Sequence, residues 1–229
     1  MLAPLLATGP MVRRVRLVSG LVLFSYVALH LTDHALGNAG IAAMDAMLVV
    51  QKWLWQGVVG TTLLYGAAVI HAGLGLWSLY ARRYVGWTKL EILQLLLGLS
   101  VPPLLANHLT VTRLTLTLFG NDKAYPQELH ALWLVSPFWG TVQLTVLVVA
   151  WTHACIGLGR LAWLARWYER RRPLLLLGAV LLPVLAMLGF AQGVRQEARH
   201  EAAFGWHPPP HRVEDPEQAA ELRLIRDWS

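Results

Sequence analysis

The chain has 229 residues, of which 56% are hydrophobic and 14% charged, against roughly 25% charged in a soluble domain. Its mean hydropathy is +0.48, and the length allows one helical domain and little else. A formal charge of +6 would suggest nucleic acid in a soluble protein, but the arginines cluster at the ends of apolar blocks, so no nucleic-acid partner is expected.

Taken in order, the chain opens with residues 1–15, a leader whose short apolar stretch is followed by a basic run, Arg13, Arg14 and Arg16, that continues into the first apolar block. That order is the reverse of a signal peptide's. Five apolar blocks follow, roughly 16–36, 54–81, 90–118, 138–163 and 173–193, each long enough to cross a bilayer as a helix. The first ends at Gly37-Asn38-Ala39-Gly40 and the second at Arg82-Arg83. The third contains Pro102-Pro103, which should kink it. Asn121-Asp122 and Pro126 mark a loop, and the fifth starts at Pro173 after Arg170–Arg172. Residues 194–229, with Pro208–Pro210 and a short helix expected near 216–226, read as an exposed tail.

The expected fold is all-α, an integral membrane bundle with lipid as its surroundings. Arg13, Arg14, Arg16, Arg82, Arg83, Lys89, Arg166 and Arg170–Arg172 fall on one side, so the N-terminus is expected in the cytoplasm and residues 194–229 outside. Eleven tryptophans, many near block ends, fit an aromatic belt. The lone cysteine, Cys155, excludes a disulfide framework, a cysteine-ligated iron–sulfur cluster and covalent haem attachment.

Ionisable residues inside a span are costly and usually functional. Each of the first four blocks holds one histidine away from its ends: His30, His71, His108 and His153. Counted at about 1.5 Å per residue from the basic markers, His153 lies roughly 10 Å deep, His71 roughly 16 Å, His30 roughly 21 Å and His108 roughly 28 Å. That gives an outer pair, His30 and His108, and an inner pair, His71 and His153. Each pair comes from alternate helices, which face each other across an antiparallel four-helix core. Two facing imidazoles are what a six-coordinate haem iron needs.

Glycines follow the same division. Gly75 and Gly157 stand four residues after His71 and His153, while Gly20 and Gly98 stand ten before His30 and His108. Interhelical hydrogen bonding, a bare metal site and a proton relay are the competing readings of these histidines. His34, one turn after His30, is an alternative ligand. Asp33 and His34 could face a quinone, or Asp33 could simply be hydrated. Arg113 and Arg160 are candidate propionate partners, with snorkelling the alternative. His130, His200, His207 and His211 read as solvated.

The segments Ser19-Gly20 to Leu29-His30, Val69-Ile70-His71-Ala72, Gly98 to His108 and His153-Ala154-Cys155-Ile156-Gly157-Leu158-Gly159-Arg160-Leu161 resemble a known family over roughly residues 15–200. This is the five-helix diheme cytochrome b anchor of succinate dehydrogenase and fumarate reductase. The resemblance implies two haem b groups, held by the same two histidine pairs, and electron exchange with a quinone. Members that couple quinol oxidation to proton movement carry a glutamate just before the fourth ligand, where this chain has Trp151 and Thr152.

Phe24-Ser25-Tyr26-Val27-Ala28-Leu29-His30 with His34-Ala35-Leu36-Gly37, Leu95-Leu96-Leu97-Gly98 leading to Pro102-Pro103-Leu104-Leu105, and Leu182-Pro183-Val184-Leu185 are similar to a second group. It comprises bacterial membrane-bound class III adenylate cyclases, whose N-terminal haem-binding domain precedes ferredoxin-like and cyclase domains. That resemblance implies a redox-sensing regulatory domain in the bacterial plasma membrane, a homo-oligomer (dimer), and a sixth helix and output domains beyond residue 229. No catalytic domain is read in residues 1–229. The alternative is the cytochrome b anchor subunit of a quinone oxidoreductase.

Overall fold

The computed structural model describes residues 9–82, 86–120, 122–163 and 165–205. No strand forms among them. Five helices of the described residues are long and apolar enough to cross a membrane: α1 (Pro10–Leu36), α3 (Val58–Tyr80), α4 (Lys89–Phe119), α6 (Pro137–Ala162) and α7 (Tyr168–Phe204). The protein is a helical membrane bundle. Its large outward side chains agree: Val58 is 85% exposed, and Leu174, Leu176, Leu177 and Val180 of α7 face outward with it. No water-facing surface would carry such a patch, whereas hydrocarbon solvates it.

Helix ends follow local chemistry. Pro10 and Pro137 stand at the first turns of α1 and α6, where the missing N–H costs nothing. Thr88 caps α4 by accepting from the Glu91 backbone N–H, and the Glu91 carboxylate accepts from the Thr88 backbone N–H, a reciprocal capping box. Pro102 and Pro103 lie inside α4, and the helix loosens into a π turn at Thr110–Leu114.

Several boundaries differ from expectation, among them the start of α7, which is at Tyr168 with Pro173 inside the helix rather than at its beginning. Helix α1 begins at Pro10 rather than residue 16, because Pro10 and the arginines after it continue its first turns. Residues 41–55, expected to be mostly loop, form α2 (Ile41–Trp55), broken from α3 at Gly57. The α2 segment is apolar enough to bury Ile41 and Met44 under the loop-end core. Residues 194–204, expected in an exposed tail, continue α7 and bury Glu197. Residues 1–8 of the leader, Arg83, Asn121, and 206–229 with their expected helix, His207 and His211 lie outside the described residues.

The bundle is organised as two close-packed pairs, α1 with α3 and α4 with α6, and α7 leans on α1. Between the two pairs the backbones scarcely approach. At one end, here the arginine end, lie Arg16, Arg82 and Arg160. At the other, the loop end, α2 and the short helix α5 (Tyr125–Leu129) with the π turn His130–Val135 cover the bundle. Met44 and Leu129 are fully buried there, packed with Tyr125 and Phe190.

The α1–α7 crossing is set by glycines. A Cβ on Gly189 would run into the carbonyl oxygen of His34, and one on Gly37 into the carbonyl of Gly189. Both obstacles are backbone, so the helices would have to part. Gly189→Ala is expected to lower stability by about 1–3 kcal/mol, read as earlier thermal unfolding in detergent. Gly178→Ala, on the same helix with open space around it, should be close to neutral.

Candidate functional site

The four span histidines meet in two pairs. The His30 and His108 rings have centroids 6.0 Å apart, inclined at 51°, and those of His71 and His153 are 6.3 Å apart and nearly perpendicular at 88°. Each pair bridges the gap between the two helix pairs: α1 to α4 at the loop end, and α3 to α6 towards the arginine end.

The His71–His153 pair is built the same way on both sides. Nδ1 of His71 lies 3.2 Å from the Arg16 carbonyl oxygen on α1, and Nδ1 of His153 lies 2.9 Å from the Gln94 carbonyl oxygen on α4. A carbonyl only accepts, so each Nδ1 carries the proton and each Nε2 keeps its lone pair. Four residues beyond each carbonyl stands a glycine over which the ring lies. A Cβ on Gly20 would sit 3.0 Å from Cε1 of His71, and one on Gly98 would sit 2.7 Å from Cε1 of His153. The Arg16 guanidinium adds a tie between α1 and α3, donating to the Ser78 hydroxyl at 2.9 Å.

This placement corrects the glycine assignment made from spacing. Gly20 and Gly98 lie against the His71–His153 pair, not against His30 and His108. Counting along one helix could not reveal it, because each glycine serves a histidine on the neighbouring helix. Gly75 has open space around it, and Gly157 lies near the Gln94 amide. Since Gly20 touches His71, the ten residues from Gly20 to His30 put the two pairs about 15 Å apart along α1.

At the loop end, Tyr26 stacks on His30 with centroids 5.7 Å apart and planes 15° apart, and the Gln143 amide meets Nδ1 of His108. His34 is buried, with its ring 4.3 Å from His30, 4.4 Å from Phe190 and 5.7 Å from Tyr125. Asp33 is 0% exposed rather than at a hydrated boundary. Its Oδ2 accepts from the Gln51 amide and the Tyr125 hydroxyl, each at 2.9 Å, while Oδ1 is buried with no hydrogen-bond partner. The Tyr125 oxygen also lies 2.9 Å from Nδ1 of His34. Burial first, and then the Asp33 carboxylate, pushes the Tyr125 phenol well above its usual pKa, so it keeps its proton.

The arginines and outer histidines find protein partners. Arg113, within the π turn of α4, donates to Thr61 of α3 at 2.9 Å. Arg160 faces Glu91 at 3.4 Å and Gln94 at 3.2 Å. His130 is not simply solvated, since its Nδ1 lies 3.4 Å from Glu201, and His200 rests against Phe204 on α7. Trp151 stacks on Phe24 at 5.4 Å and donates to the Ala179 carbonyl at 2.7 Å, locking α6 to α1 and α7. Sequence reasoning missed Gln51, Gln94, Tyr125 and Gln143. The signal for Gln94 and Gln143 was present, as isolated amides within apolar spans.

Compared with known proteins, the chain matches no family model, no curated protein and no solved structure.

The geometry of both pairs suits a metal held between two imidazoles. With a metal–nitrogen distance of about 2.0 Å and the ring centre about 1.1 Å further back, opposite ligands on one iron put their centroids about 6 Å apart. The carbonyl bonds at Nδ1 are the usual outer support of a ligating histidine, fixing both ring and tautomer. The residues come in twos. A bare structural zinc takes four ligands, and no cluster of three or more metal-binding side chains occurs among the described residues. Gly98→Val should displace His153 while leaving His108 in place, a difference that imidazole nitrogen chemical shifts would register separately for the two rings.

Proposed function

We propose that the protein is a diheme b-type membrane cytochrome that exchanges electrons with the quinone pool and serves as the redox-sensing domain of a membrane adenylate cyclase. The observation that carries the haem reading is the pair of facing histidine couples, 6.0 and 6.3 Å between ring centroids. His30 with His108 would hold one group and His71 with His153 the other. Bound there, haem supplies a one-electron couple at each level.

The chain's own residues account for orientation. The Arg16 and Gln94 carbonyls hold His71 and His153 with Nε2 unprotonated, and Gly20 and Gly98 leave room for those rings to approach α1 and α4 closely. Arg113 on α4, at the loop end, and Arg160 on α6, at the arginine end, would be the cations that neutralise carboxylates of a bound macrocycle. Release from Thr61 and from Glu91 is the cost of that task. The quinone enters through the resemblance of the α1, α3, α4 and α6 stretches to the cytochrome b anchor, and the cyclase through that of the α1, α4 and α7 stretches. The redox state of the pool would set the charge at the two levels and bias the output domain.

Purified protein made with ample haem supply should show, in a pyridine haemochrome assay, two haem b per chain and low-spin bands in a reduced-minus-oxidised spectrum. Alanine at His71 or His153 should remove one group, and alanine at His30 or His108 the other. Colourless wild-type protein would end the reading. Nearly perpendicular imidazole planes bring two iron d orbitals close in energy. The more anisotropic low-spin resonance should therefore vanish in His153→Ala rather than His108→Ala. In a chain that carries the proposed cyclase domain, cyclic AMP formation is expected to follow the quinol-to-quinone ratio. Copurification with flavin and iron–sulfur subunits would instead favour an anchor role.

A further inference from the structure

Behind His30 lies a buried file of polar side chains that reaches the loop-end cap. Gln51 of α2 donates to Asp33, Tyr125 of α5 donates to the same Asp33 oxygen, the Tyr125 oxygen meets Nδ1 of His34, and the His34 ring abuts His30 edge-on at 4.3 Å. Asp33, His34, Gln51 and Tyr125 are all buried. The tyrosine has one proton, which goes to the carboxylate, so the 2.9 Å contact with His34 requires the proton on Nδ1 of that ring. His34 thus carries a free lone pair at Nε2, as a ligand would. Yet it is boxed by His30, Phe190 and Tyr125, and a flat macrocycle finds no face there. His30, only partly buried, is the histidine of α1 that faces His108.

We infer that Tyr125 and Asp33 are positioning residues for the loop-end pair. They hold His34 as a brace against the His30 ring, which decides which α1 histidine can serve as a ligand and fixes the plane it presents. The inference rests on the diheme reading and adds a role for the cap: α2 and α5 reach the redox centre through side chains that touch no cofactor. Among the described residues no comparable file backs the His71–His153 pair, whose rings are held by main-chain carbonyls. The two levels should therefore respond differently to changes in the cap.

The test uses holo-protein carrying Tyr125→Phe, with His34→Phe as a second variant that keeps the ring volume and removes its nitrogens. Resonances are first assigned to their levels by their loss in His108→Ala and His153→Ala. In Tyr125→Phe, the loop-end haem should change its low-spin resonance and shift its reduced-to-oxidised ratio at fixed potential by up to about tenfold, or about 59 mV for a one-electron couple. The other haem should stay unchanged and so report that the bundle is intact. His34→Phe should move the same signal while keeping two haems, whereas loss of the loop-end haem in that variant would make His34 the ligand and overturn the inference. Unchanged loop-end signals in both variants, or equal shifts at both levels, would also overturn it. Wild-type protein without two haems would instead defeat the underlying reading.

Discussion

A histidine among apolar helices must find a partner for its ring N–H, because a buried donor left unpaired costs about 1–3 kcal/mol. In the His71–His153 pair that partner is the main chain of the next helix. The carbonyls of Arg16 and Gln94 accept the bonds, and glycines one turn on let the rings settle against the helix surface. One contact of this kind fixes three things at once: the rotation of each helix about its axis, the tautomer of each ring, and the approach of α3 to α1 and of α6 to α4. The close packing of α3 on α1 and of α6 on α4 accords with these bonds.

The spans were legible because composition alone marks them: five apolar blocks closed by arginines and glycines could be little else. The four histidines stood out for the same reason, as expensive residues in cheap surroundings. The partnership of Gly20 with His71 was not legible, since it is a contact between helices and leaves no spacing within either. Helix α2 was hidden too. Its fifteen residues are apolar without being long enough to cross, and nothing in them says that Ile41 and Met44 would turn inward under α5.

Asp33 and His34 show how a local reading fails. By position they belong to a helix end, where polar side chains usually meet water. Tyr125, 92 residues away from Asp33 in sequence, closes over them, and the boundary becomes an interior. The Gly37–Gly189 crossing and Phe190 complete the enclosure from α7. The loop end thus combines polar chemistry with full burial, while the arginine end keeps its charges at the surface in pairs such as Arg82 with Glu91.

The length of α7 has a consequence of its own. Its 37 residues measure about 55 Å at 1.5 Å per residue, against a hydrocarbon core of about 30 Å. Even a tilt of about 40°, the upper end for such helices, leaves about ten residues projecting into water. The projecting stretch is where Gln196 caps α2 by accepting from the Ile41 N–H and where Glu201 faces His130. The cap therefore stands on a mast above the bilayer. Dissolved ions reach its exposed pair, Lys52 with Asp122, so ionic strength acts on the cap that backs the loop-end couple and not on the His71–His153 couple, about 15 Å further along α1.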